Sequence, residues 1–243
     1  ASVLGTLLGE RFGGGEGALL GFFAGQGLIL LGLSRRLLME LARPGARPEF
    51  SCLRAILQYR DHFWAGILMN LGIWIDKIFF WFSPLGKTVT PGLYFCPGYD
   101  TPMFLAYAAT IPALGIFFLS LETSFYESYR EFYGAIEQRL PLRIIVRRQA
   151  EIKRTLRHAN QEIVRVQGII TILIFVFAPE ILAWSGYGTE LTTTLRWGVW
   201  GGFFQVLFLF ASLSLFYFDF PRDALYGSAA FFLLNGLGAV LTA

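Results

Sequence analysis

Apolar stretches long enough to cross a bilayer recur along the whole sequence. They fall near residues 18–38, 62–82, 101–121, 166–184 and 195–218, with shorter ones at 1–8 and 224–243 that run to the two ends. About 20 apolar residues in a helix span the roughly 30 Å hydrocarbon layer, where only helices and closed barrels can satisfy every backbone polar group. The lengths predict an all-α fold: a polytopic transmembrane helix bundle of about six or seven spans, forming one transmembrane domain over residues 1–243. Composition agrees, because 55% hydrophobic and only 15% charged residues exclude an ordinary soluble domain. The sequence lacks an initiator Met and stops inside an apolar run, so we expect an interior portion of a longer chain. No basic segment followed by a short apolar core and a cleavage site marks a signal peptide.

The connections alternate in charge. Sixteen of the 20 basic residues fall in three of them, within 35–60 and 130–165 and at Arg222, whereas Arg11, Lys87 and Arg196 lie on the other side. This asymmetry predicts that the basic connections face the cytoplasm. Cys52 and Cys96 are then expected on opposite sides, unable to pair. Gly21, Gly25 and Gly32 in one span, and Gly198 with Gly202 in another, predict close helix packing. Gln26 among the former would need an interhelical partner or a wet cavity.

Three polar residues interrupt the span HFWAGILMNLGIWIDKIFFWF: Asn70, Asp76 and Lys77. A charge in the hydrocarbon layer costs roughly 3 kcal/mol on insertion scales. Two readings follow: Lys77 snorkels outward with Asp76 as its counter-ion, or the three line a polar path. Pro112, near the middle of the following span, predicts a kink. That span runs into FFLSLETSFYESYREFY, read as continuous helix with Glu122, Tyr126, Tyr129 and Tyr133 on one stripe. The tyrosines suit an anchor at the membrane boundary, ring in the headgroup layer and hydroxyl in water. Arg130 with Glu127 or Glu131 offers exposed ion pairs, individually worth about 0 to 1 kcal/mol.

From Leu142 to Gln167 the pattern becomes amphipathic, with Ile145, Ile152, Leu156 and Ile163 in line and Arg143, Arg147, Arg148, Arg154 and Arg157 dominating the remainder. Residues 122–165 are expected to form a cytoplasmic helical segment, lying on anionic lipid or docking an acidic partner, with lipid favoured. Nucleic acid is not expected, since no reading module accompanies the charge. The chain has no phosphate-binding glycine loop, no Cys/His spacing for a metal and no Asp-x-Asp pair, so neither an enzyme nor a cofactor is expected. Gly13 to Gly17 matches no dinucleotide fingerprint and is read as part of an outer loop.

Three segments in this order, Asn70 to Pro84, Tyr99 to Leu119 and Glu122 to Glu137, resemble the Pel exopolysaccharide transporter family, PelG. The resemblance implies a helical, flippase-like fold in a bacterial inner membrane, carrying the amino-sugar polysaccharide Pel outward into the biofilm matrix. It also implies a complex with a cytoplasmic glycosyltransferase and membrane subunits of a synthase. With it, Asn70, Asp76, Lys77, Glu122, Tyr126, Tyr129 and Tyr133 become the expected substrate path, and Glu127, Arg130, Glu131 and Pro112 its expected gate. The alternative is a non-transporting membrane scaffold that recruits the glycosyltransferase.

Overall fold

The computed structural model describes residues 2–41, 51–90 and 92–242, with backbone alone at 41, 51–53, 90, 121 and 122. The Glu122 and Cys52 side chains, and Arg43 and Arg47, therefore lie outside the described residues. Six helical segments are long and apolar enough to cross a membrane: Ser2–Glu40, Arg60–Phe82, Pro97–Glu137, Leu142–Val176, Thr189–Tyr217 and Pro221–Thr242. The fold is nearly all-α, as the apolar periodicity predicts. Contacts divide the chain into two compact units, residues 1–55 and 56–243.

In the first unit, α1 (Ser2–Leu41) is two helical arms joined where Gly13 and Gly14 leave helical geometry, Gly14 with φ of 58°. The arms fold against each other backbone to backbone, Gly5 on Gly21 and Gly9 on Gly17, where any side chain would overlap the carbonyl opposite. The segments 1–8 and 18–38 are thus the arms of one hairpin, and the glycine run is its turn. Gly25 is buried, Gly32 has open space around it, and Gln26 is exposed rather than buried among helices. The helix α2 (Ser51–Gln58) crosses in sequence from one unit to the other.

The second unit is built on two parallel helix pairs. In the first, α3 (Arg60–Phe82) and α10 (Pro221–Thr242) start at the same end, where Asp61 lies 3.6 Å from Arg222. Their approach is set by small residues: a Cβ at Gly72 would meet the Phe231 ring, one at Gly236 would touch Ile75, and the Asn235 amide donates to the Gly72 carbonyl at 3.0 Å. In the second pair, α4 (Pro97–Ala108) runs alongside α9 (Thr192–Tyr217), with Gly198 against Met103 and Ala106 and Gly202 against Thr110. The small-residue pair expected at 198 and 202 therefore serves packing.

Three boundaries differ from the sequence expectation, each for a visible reason. Lys87–Thr90 (β1) and Leu93–Phe95 (β2) pair antiparallel, so the loop before Pro97 is a short β-hairpin. The next segment is not one continuous helix: it breaks at Ala109 and Thr110, just before Pro112, resumes as α5 (Ile111–Ser120), and widens into a π-turn at Leu121–Phe125 before α6 (Tyr126–Glu137). Pro112 cannot donate to the Ala108 carbonyl, which accounts for the first break. The helix α7 (Leu142–Val176) runs 35 residues from the arginine-rich segment into the span expected at 166–184, and the rest of that span is α8 (Ala178–Trp184). Pro179 lacks the N–H that would bond to the Phe175 carbonyl, and Arg196 Nε donates to that carbonyl instead at 2.9 Å.

α6 and α7 form an antiparallel hairpin closed by a left-handed Arg139, with Leu140 N–H donating to Ala135 O at 3.0 Å and Arg139 N–H to Ile136 O at 3.0 Å. The expected apolar line of α7 faces inward: Ile152 and Ile163 are buried, and Ile163 packs with Ala113, Phe117, Val206 and Phe210. That face is covered by protein, not by lipid.

Candidate functional site

Asp76 and Lys77 are neighbours on α3, about 9 Å before its end at Phe82. Both side chains are 15% exposed, and Lys77 Nζ lies 3.3 Å from Asp76 Oδ1. Lys77 does not snorkel: its ammonium donates to the Ile73 carbonyl at 2.9 Å and to the Tyr107 hydroxyl at 3.4 Å, and lies 4.7 Å from the centre of the Tyr107 ring. Asp76 accepts a further hydrogen bond from the Tyr99 hydroxyl. The Tyr99 ring is itself fixed by stacking on Phe80 at 3.9 Å. Each charge thus has its opposite and at least one other polar partner, the condition under which a charge pair survives in an apolar layer.

α4 supplies the second half of the site. Tyr99 and Tyr107 are eight residues apart on it and so share a face, aimed at α3. At its first turn Asp100 accepts from the Cys96 backbone at 2.7 Å and from Trp81 Nε1 at 2.9 Å, which ties the end of α3 to the start of α4. Inward from Lys77, Tyr107 borders a cavity of about 80 Å³ shared with Met69, Ile73, Thr110, Gln205 and Phe231. Its lining is mostly apolar, with Tyr107, Thr110 and Gln205 as the polar side chains that border it. Asp76, Lys77 and Tyr107 make a short polar line that leads from near the end of α3 to this cavity.

Not every residue expected on the path joins this line. Asn70 is exposed and its amide donates to the Gly66 carbonyl of its own helix at 2.8 Å. Tyr129 and Tyr133 come together at 4.5 Å between ring centres, and Tyr129 meets Tyr217 of α9 at 5.7 Å, whereas Tyr126 is 51% exposed. Pro112 is exposed at the helix break. The expected pairing of Glu131 with Arg130 is replaced: Glu131 lies 2.6 Å from Arg148 of α7, which also reaches Glu151 at 2.9 Å. Among the described residues Glu127 and Arg130 make no ion pair, and no group of three potential metal ligands occurs. Arg143, Arg147, Arg154 and Arg157 are exposed along α7.

Tyr99, Tyr107, Asp100, Trp81, Thr110 and Gln205 were not singled out in the sequence. The eight-residue spacing of Tyr99 and Tyr107 places both tyrosines on one side of α4 but does not by itself set them apart in an aromatic-rich segment, and the other four carry no sequence signal.

Six bilayer-length apolar helices, with a paired, hydrogen-bonded charge site between α3 and α4, mark a multi-pass membrane protein. Its lineage follows from comparison with known families: residues 1–243 match PelG, described as "Putative exopolysaccharide Exporter (EPS-E)", and the chain belongs to that family. It matches no curated protein and no solved structure.

Proposed function

We propose that this chain is part of the inner-membrane exporter of the amino-sugar polysaccharide Pel, moving it from cytoplasm to periplasm, with the basic connections in the cytoplasm. The observation that carries the reading is the line from Asp76 and Lys77 through Tyr107 to a largely apolar cavity that Thr110 and Gln205 also border, in a chain whose family is an exopolysaccharide exporter. Carboxylate, ammonium and phenol groups can exchange their mutual hydrogen bonds for those of sugar hydroxyls and amines without leaving a buried group unpaired. The cavity is far smaller than a sugar ring chain, so passage requires α3 and α4 to part. The helix break at Ala109 and the π-turn at Leu121 to Phe125 bound α5 on both sides and are the places where the backbone can absorb such a movement. At the cytoplasmic end, Tyr129, Tyr133 and Tyr217 offer ring surfaces for the polymer. The glycosyltransferase and membrane subunits of the synthase are the expected partners.

The experiment measures polymer outside and inside the inner membrane in cells carrying Asp76→Asn, Lys77→Met or Tyr107→Phe full-length protein at confirmed membrane abundance. Retained polymer with normal protein levels is the expected outcome. Full export by all three variants overturns the path. Loss of synthesis together with loss of the glycosyltransferase from the membrane points to the scaffold instead.

A further inference from the structure

The arginines of α7 occupy one continuous stripe. At 100° per residue, Arg143, Arg147, Lys153, Arg154, Arg157 and Arg165 fall within about 120° of arc, while buried Ile152, Ala159 and Ile163 fall on the opposite side. The packed face is consumed by the bundle, so the stripe points outward. Internal pairing leaves most of it free: Arg148 is committed to Glu131 and Glu151, and Arg147 to Glu151, but among the described residues Arg143, Lys153, Arg154 and Arg157 make no ion pair.

The continuity of α7 decides between lipid and protein as the occupant. Its apolar portion starts near Val166, so Arg143 stands roughly 35 Å further along the axis and Arg154 about 18 Å. Even with a tilt of about 40°, the extreme for spanning helices, Arg143 remains on the order of 25 Å beyond the hydrocarbon. The headgroup layer is only about 6 Å deep on each side, and screening removes lipid charge within roughly 8 Å of it. Only Arg165, at the foot of the stripe, is within reach of the bilayer. The tip also exposes apolar side chains far from any membrane, Leu142 at 74% and Val146 at 54%, which lipid does not cover there.

We propose that the distal half of the α6–α7 hairpin is a docking surface for a soluble protein whose face carries acidic residues around an apolar centre. This holds whether or not the intramembrane path carries substrate. Charge complementarity sets orientation and encounter rate, and Leu142 and Val146 supply the apolar contact.

Two measurements on the full-length protein test it. A photo-crosslinking residue at Ala150, in the middle of the stripe, is expected to give a protein adduct in cells that disappears in the Arg154→Glu/Arg157→Glu variant, while the same residue at Ile169 in the span gives lipid adducts. In nanodiscs, a labelled polyglutamate peptide is expected to bind with equal affinity over zwitterionic and anionic lipid. Its binding should fall about tenfold in Arg143→Gln/Arg154→Gln/Arg157→Gln. Lipid adducts at Ala150 matching those at Ile169 would show the helix lying on the membrane and overturn the proposal. A protein adduct indifferent to charge reversal, or peptide binding unchanged in the triple variant, overturns it equally.

Discussion

Replacing Asp76 and Lys77 one at a time and together separates a closed, mutually compensating pair from two independent polar residues. Removing one partner of a buried ion pair typically costs about 3–5 kcal/mol, because the other charge is left in an apolar surrounding. With 15% of each side chain still exposed, losses at or somewhat below the lower end of that range apply. The two singles are not equivalent. In Lys77→Met the carboxylate keeps only the Tyr99 hydroxyl as a side-chain donor, so we expect a loss of about 3 kcal/mol. In Asp76→Asn the ammonium keeps the Ile73 carbonyl and the Tyr107 ring and hydroxyl, and about 2 kcal/mol is expected. The double variant Asp76→Asn/Lys77→Met buries no charge and should lie within roughly 1 kcal/mol of wild type, giving a coupling near 4 kcal/mol. Reversible denaturation of the purified full-length protein in mixed micelles reads these values directly. Additive losses in the double variant would refute the paired geometry, and with it the argument that the two side chains compensate each other. If the path reading also holds, the double variant regains stability without regaining export.

Other parts of the fold make separate demands. Gly198→Leu should cost about 2 kcal/mol in the same denaturation assay, because a Cβ there already meets Met103 Sδ at 2.8 Å and Ala106 Cβ at 3.1 Å, whereas Gly201→Ala, in open space, should be neutral or slightly stabilising. Arg196→Ala orphans the Phe175 carbonyl and should cost about 1–2 kcal/mol; adding Pro179→Ala restores an N–H for that carbonyl and should recover part of the loss. Arg139→Gly should stabilise the α6–α7 turn by up to about 1 kcal/mol, since Arg139 holds φ of 54°, and slower amide exchange at Leu140 is the readout.

The elements that were legible in the sequence are those whose cause is one-dimensional. Span length follows from bilayer thickness, so the cores of α3, α9 and α10 emerge from hydropathy alone. The Pro112 break and the glycine turn at Gly13 and Gly14 follow from single-residue backbone chemistry. What escaped is where two physical regimes share one helix. α7 passes from an amphipathic segment, packed through its apolar face with its charges outward, to an apolar span without any change in backbone geometry, so hydropathy marks a boundary near Val166 that hydrogen bonding does not. The π-turn at Leu121 to Phe125 is the converse case. The backbone changes within a sequence whose stripe of Glu122, Tyr126, Tyr129 and Tyr133 reads as unbroken α-helix. One residue added to a turn rotates everything after it, so the stripe drawn from Glu122 through Tyr126, Tyr129 and Tyr133 at α-helical spacing is offset across Leu121 to Phe125.

For the candidate site, Asp76 and Lys77 stand out because charge in an apolar span is costly wherever it occurs, but their partners are unremarkable by the same test. Tyr99 and Tyr107 are ordinary in an aromatic-rich membrane segment, and only the 3.4 Å approach of the Tyr107 hydroxyl to Lys77 and the bond from Tyr99 to Asp76 give them a role. A buried charge announces that it must have partners without saying which. The identity of those partners depends on the α3–α4 connection, where the short β-hairpin and the Asp100 bonds to Trp81 and Cys96 bring the face bearing Tyr99 and Tyr107 opposite Asp76 and Lys77. Asn70 shows the limit from the other side. Its amide satisfies the Gly66 carbonyl one turn back, so a polar residue in a span needs no neighbour when its own helix provides one. The difference between Asn70 and Lys77 is therefore one of charge: a neutral amide can be closed within a single helix, while Lys77, bonded to Ile73 of its own helix, still draws in a carboxylate and the tyrosine of another helix.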